Sequence, residues 1–210
     1  MKQQVFKILV VIGLAFTISC ASPIENDNNS FVKVDKTQFL LNGKPYNYVG
    51  TNFWYGAYLG MPGEKGDKER LKAELDILVE NGITNLRILG ASEESHFENS
   101  LKPTILKSDG SYNEELLVGL DYLLVEMAKR DMKAVIFLNN FWEWSGGMMM
   151  YNSWYGEGPI IDPADGDWEA YMYETAQFYK NEKAQNAYRK YIKYLIAHAQ
   201  LTLSVMLLAF

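Results

Sequence analysis

The sequence is poor in the residues that bind metals and form disulfides. It contains one cysteine and two histidines, His96 and His198. A single cysteine cannot form an internal disulfide, and two histidines so far apart argue against a histidine metal site. No glycine-rich phosphate loop follows the first predicted strand of a βα unit, which argues against a bound nucleotide. We therefore expect neither a cofactor nor a metal.

Long runs of charge of one sign and internal repeats are also missing. The net charge of -6 argues against nucleic acid as a partner, because proteins that bind nucleic acid usually present a basic face. Hydrophobic residues, in contrast, make up 48% of the chain and aromatic residues 14%. The 210 residues are enough for one ordinary domain with a sizeable core.

Residues 1–20 have the features of a signal peptide. Two lysines, Lys2 and Lys7, precede an apolar run from Ile8 to Ile18, which is too short to remain a membrane-spanning helix. Cys20 follows "TIS", and this position resembles the lipobox of bacterial lipoproteins, whose cysteine is acylated and becomes the first residue. The alternative is a chance cysteine in a signal peptide that is cleaved nearby.

Residues 21–30 are polar and are expected to form a tether between the lipid and the folded domain. Together with acylation of Cys20, they predict export across the inner membrane and a lipid anchor at a bacterial membrane or cell surface. Several acyl chains hold a protein at a membrane stably, whereas one chain binds only weakly. An extracellular protein without the anchor is the other possibility.

From Phe31 the chain alternates between predicted strands and helices. An Asn-Gly pair between apolar stretches predicts a β-hairpin. Three strand-then-helix units follow, and this order predicts a parallel sheet covered by helices, with the strands YVGTNFW, ITNLRIL and MKAVIFLNN buried. The residues predicted to face inward are Leu71, Leu75, Leu78 and Val79 in the first helix, Leu116, Leu120, Leu123, Leu124 and Met127 in the second, and Tyr188, Tyr191, Ile192, Leu195 and Ile196 in the last.

The third predicted strand opens into an unusually aromatic segment. Residues 135–155 read VIFLNNFWEWSGGMMMYNSWY, and Trp142, Trp144, Trp154 and Trp168 lie in or just after the predicted loop. Burial of tryptophan is a strong source of stability, so rings left at a strand end indicate a surface that binds something flat and partly apolar. In parallel α/β folds, functional residues lie at the carboxyl ends of the strands. We expect half of these rings to pack the loop instead.

Four segments together resemble glycoside hydrolase family 5, and most closely its endo-β-1,4-mannanases. They are NGKPYNYVGTNFWYG, GITNLRILG, AKRDMKAVIFLNNFWEWSGG and DWEAYMYETAQFYKNEKAQNAYRKYI, and their order and spacing carry the likeness. The resemblance implies a (β/α)8 TIM barrel of the α/β class. Residues 31–200 would form an N-terminal β-hairpin and about the first three βα units. It also implies an extended cleft for β-mannan or a related polysaccharide, and retaining hydrolysis by two glutamates.

The resemblance places several residues in this cleft. Trp54 matches a position that stacks against substrate, although it could also plug the top of the barrel. Arg87 matches the arginine that hydrogen-bonds the nucleophilic glutamate, with an ion pair elsewhere as the alternative. Asn139 and Asn140 could bind sugar hydroxyls or turn the chain. The other residues expected to contact substrate are Trp142, Glu143 and Trp144. For Glu143, a solvated side chain is an equal alternative.

The family's catalytic residues are not found in the sequence. A retaining glycosidase needs two carboxyl groups roughly 5 Å apart, and in family 5 they lie at the ends of strands four and seven. The Asn-Glu-Pro motif that ends the fourth strand does not occur, so we expect both glutamates beyond Phe210 and no activity of these residues alone. Residues 201–210, LTLSVMLLAF, lack charges, turn residues and a helical stripe. We interpret them as an aberrant apolar tail; a genuine strand or a helix extension are the alternatives.

Three functions are therefore compatible with the sequence. The leading hypothesis is part of a lipid-anchored endo-β-1,4-mannanase that cuts internal bonds without a metal. The second is a non-catalytic glycan-binding lipoprotein that keeps the aromatic cleft and has lost the chemistry. The third is a family 5 enzyme for another β-glucan, because mannanases and glucanases share the same barrel and the same aromatic platforms.

Overall fold

The computed structural model describes residues 32–199 and 206–207. The predicted signal peptide, the tether and Cys20 lie outside the described residues, so these features stay predictions. Over the part of the chain that is described, no helix is both long enough and apolar enough to cross a membrane.

A small antiparallel sheet begins the described chain. Its strands are β1 (Lys33–Asp35), β2 (Gln38–Leu41) and β3 (Lys44–Pro45), paired in this order. The turn between β2 and β3 is the predicted hairpin, because Asn42 and Gly43 have φ angles of 53° and 72°, as a type I′ turn requires. The turn between β1 and β2 is not predicted by the sequence. It contains Lys36 at a φ of 54°, a region that lysine seldom enters.

A parallel sheet forms the centre of the molecule. Its strands are β4 (Gly50–Asn52), β5 (Asn85–Leu89), β6 (Lys133–Phe137) and β7 (Met206–Leu207). They are hydrogen-bonded in this order and all run in the same direction. Asn85 pairs with Gly50 on one side and with Lys133 on the other, so the carboxyl ends of these strands lie at one edge of the sheet. This confirms the predicted order of a hairpin followed by parallel βα units.

The first strand of the parallel sheet is more exposed than predicted. We expected YVGTNFW to be a buried strand, but only Gly50–Asn52 pair as a strand, and all three residues are exposed. The physical reason is that β4 has β5 on one side and, within the described residues, no strand on the other. Phe53, the next residue, is buried and belongs to the main core. The apolar residues of this segment therefore predict a strand, but they do not predict how many strands lie beside it in the sheet.

Helices cover one face of the sheet in the first two units. They are α1 (Gly56–Gly60), α2 (Lys68–Glu80) and α3 (Glu114–Ala128). Asp67 and Asn113 begin α2 and α3, because each side chain accepts a hydrogen bond from a backbone N–H of the first turn that has no partner within the helix. All five residues predicted to face inward from α3 are buried.

The inward face of α2 is confirmed only in part. Leu71 and Leu75 are completely buried, and Leu78 packs against the same core. Val79 is exposed, contrary to the prediction, because Leu78 is the residue of the last turn that contacts the core and Val79 lies one position further round the helix. The apolar stripe is therefore narrower at the end of the helix than the sequence indicates.

Two glycines allow α1 and α3 to approach closely. A Cβ on Gly119 would lie 2.1 Å from the carbonyl oxygen of Ala57, and a Cβ on Gly60 would lie 2.3 Å from the carbonyl oxygen of Gly119. Both contacts are with backbone, so a side chain at either position would push the helices apart. This close packing fixes α1, and with it the residues that follow β4.

The segment between β6 and the last predicted helix is helical rather than a long loop, which corrects our expectation. It contains α4 (Gly147–Tyr155) and α5 (Trp168–Ala176), and the predicted helix follows as α6 (Glu182–Ala199). Gly146 and Gly147 have φ angles of 87° and 68°, which most residues avoid, and this turn leads directly into α4. The three methionines after the turn are buried. A Gly-Gly pair thus marks the start of a buried helix here.

The last helix closes the core against the end of β5. Tyr191 and Leu195 of α6 are buried, and Ile192 packs beside them, as the sequence predicts. The hydroxyl group of Tyr191 donates a hydrogen bond to the carbonyl oxygen of Gly90, one residue past β5. Because this bond joins residues 101 positions apart, α6 holds the carboxyl end of β5 in place.

The apolar segment 201–210 is described only at Met206 and Leu207. These residues pair in parallel with Val135 and Ile136 of β6. In a β/α barrel the next strand would occupy this side of β6, so their pairing agrees with the alternative of an apolar strand. The rest of the segment lies outside the described residues, and the interpretation as an aberrant tail stays a prediction.

Candidate functional site

The candidate site lies at the carboxyl edge of the parallel sheet. Trp54 comes two residues after β4, Glu93 four residues after β5 and Asn139 two residues after β6. The ladder continues past the strand ends, because the N–H of Gly90 donates a 3.0 Å hydrogen bond to the carbonyl oxygen of Phe137. Residues that are far apart in sequence are thereby brought to one edge, the usual position of sites in such folds.

Two tryptophans from different strand ends meet at this edge. The ring centroids of Trp54 and Trp144 are 5.8 Å apart, with their planes at 64°. Trp54 also contacts Tyr58, and Trp144 contacts Phe137, so each ring is supported by a neighbouring ring. Trp54 is 38% exposed and Trp144 is half-buried. We use the name strand-end surface for these two rings with Asn139 and Trp142, all four of which follow the carboxyl end of β4 or β6.

The remaining tryptophans of the aromatic segment divide into exposed and packed rings. Trp142 and Trp168 are both exposed and touch edge to face, with centroids 6.2 Å apart. Trp168 also rests on the buried ring of Tyr171. Trp154 is half-buried against Tyr151, inside the fold. The exposed pair extends the strand-end surface along the outside of the molecule.

Arg87 lies in the middle of β5, on the exposed face of the sheet. The residues on either side of it, Leu86 and Ile88, are buried beneath the helices. Its Nη1 donates a 3.3 Å hydrogen bond to Oδ1 of Asn52, and its guanidinium lies 4.0 Å from the ring centroid of Phe137, at cation–π distance. Within residues 32–199 and 206–207, no carboxylate forms an ion pair with it. Its contacts within the described residues are thus with an amide oxygen and an aromatic ring.

The two asparagines after β6 differ in their hydrogen bonds. The side chain of Asn140 accepts from the N–H of Trp142 at 3.2 Å and donates to Oγ of Ser145 at 3.0 Å, so both ends of its amide shape the loop. Asn139 accepts from the N–H of Asn140 at 2.8 Å, but its buried Nδ2 has no partner among the described residues. The side chain of Asn140 is thus engaged at both ends, whereas the amide nitrogen of Asn139 has no partner within the described residues.

Two other candidate residues lie at the rim. Glu143 begins a short 3-10 helix, Glu143–Ser145, and is half-buried; its carbonyl oxygen accepts from the N–H of Gly146 at 2.8 Å. His96, one of the two histidines, is exposed in a shallow depression lined by residues of the loop after β5. Neither side chain meets another sequence-predicted site residue in a hydrogen bond within the described residues. They do not form part of the strand-end surface.

Hydrogen bonds from outside the loop fix the aromatic residues after β6. The hydroxyl group of Tyr171 donates to the carbonyl oxygen of Phe141 at 2.7 Å. The N–H of Leu101 donates to the carbonyl oxygen of Trp144 at 2.7 Å. The loops after β5 and β6 are thus held together, so the rings that they carry have defined positions.

Glu93 is a functional candidate that the sequence does not reveal. It is completely buried, and its Oε2 accepts a 2.8 Å hydrogen bond from the N–H of Gly147. Burial raises the pKa of Glu93 from 4.5 to about 8, and the Gly147 amide only partly opposes this effect. The neighbouring Glu94 is exposed and binds Ser108, so nothing in the Ser-Glu-Glu-Ser sequence distinguishes the two glutamates. A buried carboxyl beneath the site could be found only from the structure.

The chemistry of this edge suits a sugar chain better than an ion or a nucleotide. Aromatic rings offer their faces to the C–H groups of a sugar, while amide and guanidinium groups can bind its hydroxyls. The strand-end surface combines Trp54, Trp142 and Trp144 with the unpartnered amide of Asn139. Parallel βα units with aromatic rings at their strand ends define this chain as a segment of a β/α-barrel protein.

Comparison with known proteins identifies the family. A family model described as "GH family 5 beta-mannosidase-like" matches residues 29–205. The chain therefore belongs to glycoside hydrolase family 5, in its beta-mannosidase-like group, and is by family a glycoside hydrolase. This confirms the resemblance deduced from the sequence.

Individual relatives carry mannanase names. Mannan endo-1,4-beta-mannosidase A of Podospora anserina is 27% identical over 170 residues, which cover 79% of this chain and 40% of that protein. Mannan endo-1,4-beta-mannosidase 1 of Oryza sativa subsp. japonica is 27% identical over 165 residues, covering 78% of this chain and 34% of that protein. These proteins are similar to ours in sequence at a level that supports common family membership.

Solved structures give the same family. The crystal structure of a glycoside hydrolase family 5 mannosidase from Rhizomucor miehei is 35% identical with a TM-score of 0.72, over 82% of this chain and 43% of that one. A mutant of that mannosidase in complex with mannosyl-fructose is 33% identical with a TM-score of 0.67, over 82% of this chain and 43% of that one. The chain thus spans about two fifths of the length of these relatives, and its fold matches the corresponding part of their β/α barrel.

Proposed function

We propose that this protein acts on mannans, and that the family reaction is retaining hydrolysis of internal β-1,4-mannosidic bonds. The contact between Trp54 and Trp144 carries the proposal, because it joins two strand ends into one exposed aromatic surface. The mannanase names of the relatives and the mannosyl-fructose bound to a mutant of the Rhizomucor miehei mannosidase support mannose-containing ligands. Within the family reaction, these residues would hold the polysaccharide.

The roles of the other residues follow from their positions. Arg87 offers a guanidinium at the open face of β5, where it would orient the nucleophilic carboxylate. Asn139 offers a donor to a sugar hydroxyl. Retaining hydrolysis needs an acid/base carboxyl and a nucleophilic carboxylate roughly 5 Å apart, and we infer that both lie outside these 210 residues because the Asn-Glu-Pro motif does not occur in them. The chain by itself therefore binds sugar without cleaving it, because binding lowers a barrier only when it favours the transition state.

The membrane anchor is a separate part of the proposal. Acylation of Cys20, followed by the polar residues 21–30, would hold the domain at a bacterial membrane or cell surface. The lipobox-like position of the cysteine supports this placement. An anchored glycosidase would act where its polysaccharide meets the cell.

Electrophoresis in gels that contain polysaccharide tests the substrate class. The full chain is run in native gels with galactomannan, with hydroxyethyl cellulose or with neither. Selective retardation by galactomannan is expected if the surface recognises mannan. Equal retardation by both polymers would favour an enzyme for another β-glucan, and retardation by neither would contradict the proposal that these residues bind the polysaccharide.

The non-catalytic alternative rests on one observation, the absence of the Asn-Glu-Pro motif beside an intact aromatic surface. A reducing-sugar assay on galactomannan with the longest protein that the native gene encodes separates the two functions. Release of reducing ends indicates the hydrolase, whereas mannan binding without turnover indicates the binding protein.

A further inference from the structure

A completely buried glutamate makes two hydrogen bonds to the loop that carries Trp144. The N–H of Glu93 donates to the carbonyl oxygen of Ser145 at 2.8 Å, and its Oε2 accepts from the N–H of Gly147 at 2.8 Å. Ser145 and Gly147 flank a single residue, Gly146, so the backbone and the side chain of Glu93 bind both sides of one tight turn. The turn begins directly after Trp144.

The turn and Glu93 are in such close contact that the turn cannot move unless Glu93 moves with it. A Cβ on Gly146 would lie 2.2 Å from the carbonyl oxygen of Glu93, so the two backbones are in direct contact. Gly146 and Gly147 both have positive φ angles, 87° and 68°, and the bond from Gly147 to the carboxyl supports this uncommon conformation. The position of Trp144 therefore depends on a residue of the neighbouring strand end.

We propose that Glu93 is a positioning residue, whose buried carboxyl holds the Ser145–Gly147 turn and thereby sets the ring of Trp144 against that of Trp54. The proposal rests on the proposed function in one respect: the surface that it assembles is the one assigned to mannan. Glu93 itself is completely buried, so it acts through the residues that it holds in place. Its contribution is to bring two rings, 5.8 Å apart, into one binding surface.

The surroundings of the carboxyl favour its uncharged form, because burial raises its pKa to about 8. Tyr151 of α4, Tyr171 of α5, and Tyr188 and Tyr191 of α6 are the ionisable groups that interact with it. Burial raises the pKa of each of these tyrosines; that of Tyr188 reaches about 12. Within the described residues no lysine, arginine or histidine pairs with Glu93. Glu93 is thus the group of this pocket that titrates nearest to neutral pH.

A neutral carboxyl can be replaced by a neutral amide of nearly the same shape. Glutamine at this position keeps an oxygen for the N–H of Gly147. Its NH2 group would replace the buried Oε1 of Glu93, which has no hydrogen-bond partner within the described residues. The buried hydroxyl of Tyr151 has none there either. Alanine removes the acceptor and leaves the Gly147 amide unsatisfied. Glutamine thus keeps the hydrogen-bond acceptor but cannot ionise, whereas alanine has neither property. Comparison of the two variants shows which of the two properties holds the turn.

The first measurement is near-ultraviolet circular dichroism of the full chain at pH 6, which reports the packing of tryptophan rings. Glu93→Ala should lose the part of the tryptophan signal that comes from the pair of Trp54 and Trp144, whereas Glu93→Gln and the exposed control Glu94→Gln should keep it. Far-ultraviolet spectra show whether each variant is folded. A Glu93→Ala protein with the wild-type tryptophan signal would overturn the proposal, and so would a Glu93→Gln protein that loses the signal.

A pH series decides the matter even if Glu93→Ala does not fold. As pH rises through about 8, the wild-type carboxyl ionises inside an apolar pocket. The tryptophan signal of the wild type should then decline between pH 7 and pH 9, while that of Glu93→Gln stays constant. The same decline in both proteins would show that Glu93 is not the group responsible and would contradict the assignment.

Titration with mannohexaose links the positioning role to binding. At pH 6, Glu93→Ala should bind at least about tenfold more weakly than the wild type, the effect of losing one aromatic contact, and Glu93→Gln should bind about as tightly as the wild type. Wild-type affinity in Glu93→Ala would count against the proposal. If the wild type does not bind mannohexaose, the proposed function fails, and the spectra still decide whether Glu93 positions Trp144.

Discussion

Substitution of Gly119 by alanine tests the packing that fixes the residues after β4. The added Cβ would lie 2.1 Å from the carbonyl oxygen of Ala57 and 3.0 Å from the backbone nitrogen of Met61. An ordinary contact is about 3.5 Å or longer, so α1 must move away from α3 by more than about 1 Å. Overpacking of this kind costs about 1–3 kcal/mol, and contact with backbone on both sides favours the upper end.

The opposing effect is the higher helix propensity of alanine, which contributes about 1 kcal/mol in favour of the variant. We therefore expect Gly119→Ala to lower the free energy of unfolding by about 2 kcal/mol. With a urea m-value of about 2 kcal/mol/M, the midpoint falls by about 1 M. Urea unfolding followed by far-ultraviolet circular dichroism measures this shift.

The matched control is Val118→Ala, one residue earlier in α3. Val118 is 47% exposed, so its truncation should change the free energy of unfolding by no more than about 0.5 kcal/mol. A Gly119→Ala protein as stable as the wild type would refute the reasoning. It would mean that α1 does not rest on the backbone of α3, and the support for the position of Trp54 would be lost.

Four further predictions concern stability, chemistry and location. Leu75→Ala should lose about 2–5 kcal/mol of unfolding free energy by calorimetry, because Leu75 is completely buried, while Ile77→Ala, on the exposed side of α2, should change little. The wild-type unfolding free energy should fall as pH rises from 5 to 8, because the unfolded carboxyl of Glu93 ionises near 4.5 and the folded one near 8, and Glu93→Gln should flatten this slope in urea titrations; an equal slope would contradict the raised pKa. The 210 residues alone should release no reducing sugar from galactomannan, and clear turnover would contradict the placement of the catalytic glutamates. Cys20→Ala should release the protein from the membrane fraction, and its retention there would refute acylation at Cys20.

The elements most accurately predicted from the sequence are those with a long apolar period and a clear start. Helix α3 has five inward-facing residues at helical spacing and an asparagine, Asn113, that caps it, and all five residues are buried. Local pattern and tertiary packing agree there. In α2 the same pattern overstates the buried face, because the core reaches Leu78 but not Val79.

Burial of a strand depends on its neighbours, which a local pattern does not contain. The letters YVGTNFW describe an apolar strand, yet Gly50–Asn52 are exposed, since the described residues place a strand on one side only. The prediction of a long loop after β6 is wrong for a different reason. A Gly-Gly pair normally ends regular structure, but Gly146 and Gly147 form a turn that leads into the buried helix α4.

The candidate site could be located but not assembled from the sequence. Trp54 and Trp144 are visible as rings at two strand ends, but their 5.8 Å contact depends on where two loops fold. Asn139 and Asn140 are adjacent and identical in type, and only their hydrogen bonds distinguish the amide nitrogen without a partner from the side chain that shapes the loop. The burial of Glu93 cannot be predicted from the sequence, because Glu93 and its exposed neighbour Glu94 are the same residue type.

The central claim, that the strand-end surface binds mannan, is tested most directly by the affinity of Trp54→Ala for mannohexaose. Isothermal titration compares the full chain, this variant and a Tyr179→Ala control, whose exposed ring lies in the Gln177–Lys180 segment, outside the strand-end surface. Loss of one aromatic contact should weaken binding by about 1–3 kcal/mol, or roughly 5- to 150-fold, with no change in the control. Unchanged affinity of Trp54→Ala, with an unchanged unfolding midpoint, would contradict the account.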